Sequence, residues 1–189
     1  MLKSCLLALS LLIVAGNILG QHPLDEVDIH APFVPTAHPV IDAMLKLAHT
    51  KKTDVVYDLG CGDGRIVIAA AKRYGTHGVG IDINPERIRE ANANARREGV
   101  QDLVRFEERN VYDADLREAT IVMLYMLPEI NLKLQPKLRR ELKPGARIVS
   151  HAFDMGSWKP SKRKDLEGER IFLWKIPRRF WPFRSGSAV

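Results

Sequence analysis

VVYDLGCGDGRIVIAAA, residues Val55–Ala71, is the stretch that decides the fold. Its β-branched and aromatic start ends at Asp58, crosses three alternating glycines, and continues into apolar residues at helical spacing. The pattern predicts a strand, a tight turn and a helix. Glycine permits positive φ and close approach of a ligand, and a helix N-terminus offers unpaired N–H groups. We therefore expect a polar ligand at this turn.

The spacing of the glycines distinguishes a dinucleotide from a cationic, amino-acid-like ligand. A dinucleotide-binding G-x-G-x-x-G turn needs its third glycine at the position that Arg65 occupies. The pattern here is D-x-G-x-G-x-G, and the Asp58 carboxylate would repel a pyrophosphate but attract an ammonium group. The turn therefore favours a cationic, amino-acid-like ligand over NAD.

This motif resembles the first motif of the class I S-adenosylmethionine-dependent methyltransferases, whose ligand carries both an ammonium and a sulfonium. The resemblance implies S-adenosyl-L-methionine as the cofactor and a Rossmann-like, doubly wound α/β fold with a mainly parallel sheet over residues 53–177. VPT, LYMLPEINLKL and HAFDMGSW extend it across about residues 32–177. These segments are similar to small bacterial relatives of the mitochondrial lysine methyltransferases that act on the ATP synthase c-subunit and the adenine nucleotide carrier.

The turn and the strand ends supply the expected cofactor residues. Asp82 is the next-to-last residue of the run GVGIDI, residues 78–83, and is placed to accept both hydroxyls of a ribose, with Ile83 after it. The resemblance implies that the Asn110 side-chain oxygen accepts from the adenine amino group, and Val111 is expected to pack on the purine. The turn contributes Asp58, Gly60, Cys61, Gly62 and Gly64. Cys61 is interpreted as a small packing residue beneath the loop, in preference to a nucleophile.

Residues 21–52 are predicted to form an N-terminal arm and a helix. Prolines hold the first half extended, and an apolar stripe at helical spacing follows from Val40. In the methyltransferases that the motif resembles, such a segment often closes over the cofactor. Thr36 has two interpretations, as a hydroxyl donor to the cofactor's carboxylate or as a cap on the approaching helix.

Further strands are predicted at 78–83, 103–106, 119–125, 147–150 and 170–176, and further helices over 84–99 and 132–142. The fourth strand is apolar throughout, as expected of a strand buried on both faces of a parallel sheet. No pattern for a seventh strand is evident, so we expect the terminal hairpin to be incomplete.

The resemblance places catalytic or substrate-orienting residues just after the fourth strand, where Tyr125, Glu129 and Asn131 are the candidates. His151 follows the fifth strand, and it is either a general base or a hydrogen-bonded structural residue. A lysine acceptor must lose a proton before it attacks, and the sequence does not choose among these residues. Methyl transfer requires no metal, and the two cysteines, Cys5 and Cys61, offer no Cys-based metal site.

The two ends of the chain differ from its middle. Residues 1–20 resemble a secretory signal peptide, which predicts an exported, periplasmic or membrane-associated protein; an uncleaved anchor facing the cytoplasm is the alternative.

The net charge of +6 comes from the segment 159–184, which has nine Lys and Arg against three acidic residues. Residues 178–189 form a basic, aromatic tail that suits an anionic membrane surface, nucleic acid or an acidic protein.

The sequence thus predicts an S-adenosylmethionine-dependent methyltransferase, with a protein lysine as the favoured acceptor. Alternatives are a small-molecule or lipid methyltransferase, or a non-catalytic cofactor-binding module with a surface-binding tail. Nucleic acid is less favoured, because no N-P-P-Y or D-P-P-Y sequence follows the fourth strand.

Overall fold

A computed structural model describes residues 33–177, which fold around one seven-stranded sheet. The helices are α1 (His38–Leu47), α2 (Arg65–Tyr74), α3 (Pro85–Arg97) and α4 (Pro128–Glu141), with one 3₁₀ turn at Val111–Asp113. The strands are β1 (Val55–Leu59), β2 (His77–Asp82), β3 (Val104–Glu108), β4 (Ile121–Leu124), β5 (Arg147–His151), β6 (Lys162–Leu166) and β7 (Glu169–Lys175).

The strand order is β3-β2-β1-β4-β5-β7-β6. The first five strands in this order pair in parallel, whereas β7 is antiparallel to both β5 and β6. The prediction of a doubly wound, mainly parallel sheet is therefore confirmed. The order reverses between β1 and β4, and open sheets of this kind bind ligands beyond the carboxyl ends of the strands at that point.

Both faces of the sheet are covered by helices. Buried residues of α1, α2 and α3 pack with Met123 and Val149 on one face. Buried residues of α4 pack with Leu124 and Ile148 on the other. Successive strand residues point to opposite faces, so the apolar run of β4 is buried on both sides, as predicted.

Local signals set the helix limits. The left-handed Gly75 ends α2 where predicted, and the Asn84 side chain caps α3 by accepting from the Glu86 N–H at 2.8 Å. Helix α4 begins at Pro128, four residues before the predicted start. Proline suits the first helical position and Glu129 the positive end of the helix, so the helix extends to this point.

The expectation of an incomplete terminal hairpin is wrong. β6 and β7 pair from Lys162↔Leu173 to Leu166↔Glu169. The sequence of β6, KRKDL, is exposed along most of its length and lacks apolar alternation, because it forms the sheet edge. Charged residues on an edge strand hinder pairing with other chains.

The interpretations of residues 1–20 and 178–189 lie outside the described residues, as does most of the arm before Phe33. Within residues 33–177, no helix combines the length and apolar character needed to cross a membrane.

Candidate active site

A cavity of about 400 Å³ lies at the carboxyl ends of β1, β2 and β4. Its volume falls within the range of about 300–1,000 Å³ that is usual for ligand pockets. Eight of the ten residues predicted to bind the cofactor line it: Thr36, Asp58, Gly60, Cys61, Asp82, Ile83, Asn110 and Val111. The sheet has therefore brought together segments that are up to 75 positions apart in sequence.

The glycine turn is fixed by its own backbone. The N–H groups of Gly60 and Cys61 both donate to the Ile81 carbonyl, at 2.8 and 2.9 Å. Gly60 has φ of +77°, and a Cβ there would lie 2.4 Å from Met126 Sδ, in the wall of the cavity. Only glycine suits this position, because a side chain would be strained and would enter the cavity.

Gly62 and Gly64, which we predicted to contact the cofactor, do not line the cavity. The Gly62 N–H donates to Asp82 Oδ2 at 2.8 Å, so this group positions the carboxylate. Gly64 is left-handed and caps α2, where a Cβ would lie 2.6 Å from the Phe106 ring. Both glycines shape the turn from behind the cavity wall.

Asp82 is held between the turn and α3. Its Oδ2 accepts from Gly62, and its Oδ1 accepts from the Asn84 N–H at 2.9 Å. Each carboxylate oxygen retains acceptor capacity. The arrangement leaves Asp82 at the cavity wall, with its orientation fixed, which is what the predicted ribose contact requires.

Asp58 is buried at the base of the cavity. Burial, with smaller contributions from the negative charges of Asp82 and Asp63, raises the pKa of Asp58 to about 8. Burial also raises the pKa of the Cys61 thiol, with Asp58 and Asp82 adding to the effect. Cys61 is therefore held as a thiol, which agrees with a packing role, since the thiolate is the nucleophile.

Asn110 caps the 3₁₀ turn, a structural role that the sequence analysis did not predict. Its Oδ1 accepts from the Tyr112 N–H at 3.0 Å and caps the 3₁₀ turn. The oxygen expected to accept from adenine is thus partly used, while the amide Nδ2 remains a donor. The buried Val111 beside it lines the cavity, so its predicted packing against a purine is sterically compatible.

The arm crosses the glycine turn. The Phe33 ring covers Gly62, since a Cβ there would lie 2.2 Å from Phe33 Cε2, and the Arg87 guanidinium lies 4.2 Å from the ring centroid. Thr36 is buried and lines the cavity. Ala37 caps α1, and no side-chain hydrogen bond is made there, so the capping interpretation of Thr36 is wrong.

Arg65 links the arm to the turn. Its Nη1 donates to the Thr36 carbonyl at 3.1 Å, while Nε and Nη2 bind the Asp63 carboxylate at 2.9 and 2.6 Å. The cavity is also lined by five residues for which the sequence predicts no site role: Phe33, Asp63, Arg65, Arg87 and Met126. The one sequence feature that could have indicated a site role for Arg65 is its position, where a dinucleotide-binding turn has its third glycine.

The polar groups of the cavity suit a cationic ligand. Arg65 is neutralised by Asp63, and Arg87 is stacked on Phe33. The carboxylates of Asp58 and Asp82 line the wall at two adjacent strand ends. An ammonium favours the ionised form of Asp58 and a ribose can donate to Asp82, whereas a pyrophosphate would meet the Asp82 carboxylate.

Of the four residues predicted to be catalytic, one lines the cavity and three do not. Tyr125 lines the cavity. Glu129 is exposed in the first turn of α4, outside the cavity wall. Asn131 is buried and donates to Ser150 Oγ at 3.2 Å, which is a structural contact. His151 lies behind Tyr125 with ring centroids 4.1 Å apart, and its Nε2 is 2.8 Å from Glu169 Oε2.

Comparison with known proteins agrees with this site. The model of the ANTKMT methyltransferase domain matches residues 58–162. A protein-lysine N-methyltransferase of Saccharolobus islandicus is 47% identical over 152 residues, which cover 78% of this chain and 94% of that protein. The human lysine N-methyltransferase of the ATP synthase c-subunit is 35% identical over 129 residues. That match covers 68% of this chain and 54% of the human protein, so the chain spans about half of that relative's length.

A solved structure is also similar, the crystal structure of an RNA methyltransferase from Salinibacter ruber in complex with S-adenosyl-L-homocysteine. It is 53% identical, covers 76% of this chain and 94% of its own, and superposes with a TM-score of 0.75. The cofactor is S-adenosyl-L-methionine, and the protein is an enzyme that transfers its methyl group. Within the class I S-adenosylmethionine-dependent methyltransferases, this chain belongs to the ANTKMT methyltransferase family.

Proposed function

We propose that the protein methylates the side-chain amine of a lysine in a protein substrate. The observation that carries the proposal is the similarity to the Saccharolobus islandicus protein-lysine N-methyltransferase, which extends over 94% of that protein. The human relative, named for a lysine of the ATP synthase c-subunit, and a mouse adenine nucleotide translocase lysine N-methyltransferase support the same acceptor class.

The residues of the site have simple tasks in this reaction. The bound cofactor supplies a methyl group on a positively charged sulfur. Asp58, Asp82 and the glycine turn orient it, and the arm residues Phe33 and Thr36 cover it. Tyr125 forms the wall from which the acceptor approaches, at the end of β4. Holding the two reactants at a separation of about 3–3.5 Å is the main catalytic requirement.

RNA is the second candidate acceptor, favoured by one observation. The Salinibacter ruber protein, 53% identical to this chain, is described as an RNA methyltransferase. The surplus of Lys and Arg in the segment 159–184 would suit phosphate contacts. Lysine is preferred because the three named protein-lysine methyltransferase relatives agree on it.

A labelled-methyl assay distinguishes the acceptors. The full chain is incubated with methyl-labelled S-adenosylmethionine and a cell extract, and aliquots are treated with protease or nuclease. We expect label that is lost with protease, survives nuclease, and is recovered as methyllysine after hydrolysis. Asp82→Ala serves as a control for cofactor-dependent label. Label that survives protease and disappears with nuclease would replace lysine by RNA, and label in an organic extract would indicate a lipid or small molecule.

We further propose that the ends of the chain bring the enzyme to a membrane. The apolar run of residues 1–20 supports export or anchoring, and the basic, aromatic residues 178–189 support contact with anionic lipid. Sedimentation with phosphatidylglycerol vesicles should fall when residues 178–189 are deleted, while cofactor affinity is unchanged. Equal sedimentation of both chains would contradict a role for the tail.

A further inference from the structure

The arm that borders the cavity is attached to the rest of the fold by few contacts. Its four described residues, 33–36, all line the cavity. They form neither helix nor strand, and α1 begins only at His38. Within residues 33–177, a single hydrogen bond joins these four residues to the rest of the chain, from Arg65 Nη1 to the Thr36 carbonyl at 3.1 Å. A segment without backbone pairing has low local stability, so its position depends on that bond and on side-chain packing.

The Arg65 guanidinium is suited to hold the arm because it binds two partners at once. Nε and Nη2 bind the Asp63 carboxylate at 2.9 and 2.6 Å, and Nη1 reaches the Thr36 carbonyl. Asp63 is itself buried, and Asn94 of α3 donates to its backbone carbonyl at 2.9 Å. Arg65 is therefore fixed to the glycine turn. A planar guanidinium can serve a carboxylate and a carbonyl together, whereas a lysine ammonium is a compact point charge.

A second guanidinium holds the other end of the described arm. Arg87 lies 4.2 Å from the centroid of the Phe33 ring, and that ring covers Gly62 of the turn. Phe33 is 42% exposed, whereas Thr36 is 4% exposed. A hydrogen bond from a charged donor to a buried carbonyl stabilises more than an exposed cation–π contact does. Arg65 is thus the stronger of the two attachments.

We propose that Arg65 is a positioning residue that holds the arm across the cofactor cavity, and that release of the arm from Arg65 lets the cofactor enter and its product leave. S-adenosylhomocysteine must be exchanged for S-adenosylmethionine in every turnover. The turn opposite the arm is joined to β2 by backbone hydrogen bonds from Gly60 and Cys61 to Ile81. The arm, in contrast, can move after the loss of one hydrogen bond and the Phe33 contact. The inference does not depend on which acceptor the enzyme methylates.

Binding kinetics test this gate, because an arm that must move aside slows entry as well as exit. Arg65→Lys keeps a positive charge beside Asp63 but loses the second hydrogen-bond partner. Surface plasmon resonance with the immobilised full chain and S-adenosylhomocysteine should show koff raised about tenfold and kon raised about two- to fivefold. The Kd then increases by only about two- to fivefold.

The matched control is Arg73→Lys, the same substitution in the same helix. Arg73 pairs with Asp42 of α1 and does not line the cavity, so this variant should keep both rate constants of the wild type. Circular dichroism and the Tm of the two variants check that each is folded.

The position of the arm can be measured without ligand. The Phe33 ring lies over Gly62, so its ring current shifts the signals of the Gly62 α-protons. In the full chain with ¹³C-labelled glycine, NMR should show these signals at new positions in Phe33→Leu, which lacks the ring. Arg65→Lys should move them in the same direction, and Arg73→Lys should not. Wild-type positions in Arg65→Lys would overturn the role of Arg65.

Two contacts that hold one arm should be coupled. Phe33→Ala should raise koff about fivefold in the wild type but less than about twofold in Arg65→Lys, because the arm is already released there. Phe33 is exposed, so Phe33→Ala tests the gate even if Arg65→Lys folds poorly. Additive effects of the two substitutions would contradict a shared action through the arm.

The remaining outcomes are also decisive. An unchanged koff in Arg65→Lys, or equal changes in Arg65→Lys and Arg73→Lys, would overturn the assignment of Arg65. A higher koff with unchanged kon would overturn the gate, because Arg65 would then stabilise only the bound state. None of these measurements involves an acceptor, so label in RNA instead of lysine would overturn the proposed function and leave this inference intact.

Discussion

The two sides of the cavity are built in different ways. The cofactor side consists of a turn, two strand ends and an arm, in which backbone N–H groups orient carboxylates such as Asp82. The other side, to which the proposed function assigns the acceptor and which we call the acceptor side, is formed by Tyr125 after β4; the Tyr125 ring packs on His151, and His151 contacts Glu169 of β7. The first depends on backbone conformation, and the second on a chain of side-chain contacts. Substitutions on the cofactor side should therefore change binding, and those on the acceptor side should change turnover.

The largest effect on cofactor affinity is expected for Gly60→Val. Positive φ strains the free and the bound protein alike, so the loss of affinity comes from the added side chain, which would enter the cavity beside Met126 and occupy space that the ligand needs. Calorimetry with S-adenosylhomocysteine should show at least about a hundredfold weaker binding. Gly99→Val has similar strain, φ +68°, but nothing lies within 4 Å of its Cβ, so affinity should be unchanged. Equal losses would assign the effect to general destabilisation.

The next largest effect compares the residue predicted to bind the ribose, Asp82, with the residue predicted to bind the adenine, Asn110. Asp82→Ala should weaken cofactor binding more than Asn110→Ala, because hydrogen bonds to a charged group contribute about 1.5–3 kcal/mol each and neutral ones about 0.5–1.5 kcal/mol. Asp82→Ala also removes the acceptor for the Gly62 N–H. Titration of both variants with S-adenosylhomocysteine measures the ranking, with circular dichroism as the folding control. A reversed ranking would contradict the ribose assignment.

A pH effect follows from Asp58. Its pKa of about 8 leaves it protonated in the free enzyme at neutral pH, and the cofactor's ammonium favours the ionised form. Binding should therefore release a proton, and affinity should increase between pH 6 and 7.5 by up to about tenfold per unit. Calorimetry in buffers of different ionisation enthalpy counts the proton. Asp58→Asn should abolish the dependence, and persistence of the slope in that variant would assign the proton to another group.

The smallest effect concerns the arm. Phe33→Ala removes a cation–π contact with Arg87, which contributes about 0.5–1 kcal/mol at an exposed site, and it uncovers Gly62. Cofactor affinity should fall by about two- to fivefold. Phe33→Leu retains the apolar cover and should give an intermediate value. If both variants match wild type, the arm does not contribute to holding the cofactor.

The difference between the two sides also explains what the sequence could predict. Asp58, the three glycines and Asp82 stand at the ends of apolar runs, and their spacing follows from strand and turn geometry, so both fold and cofactor side were predictable. Asp63 and Arg65, two positions apart in sequence, form a salt bridge. Neither helical nor strand periodicity predicts this contact.

The acceptor side has no such local pattern. Glu129 and Asn131 fit the expected position after the fourth strand, yet one is exposed and the other is bound to Ser150. Whether a helical residue faces a cavity depends on where the helix starts, and α4 starts at Pro128. The contact of Glu169 with His151 could not be predicted, because it depends on the antiparallel register of β7 against β5, which no local pattern specifies.

The position of β7 has a consequence for how the molecule is made. The last strand of residues 33–177, β7, does not lie at the edge of the sheet but between β5 and β6. During synthesis, β1 to β5 are complete while β5 still presents an unpaired edge to its surroundings, and such edges are prone to pair with other chains. Only when residues 162–175 have emerged can the hairpin close that edge. The nascent protein thus completes its cofactor side first and carries an open edge until the last strands are released.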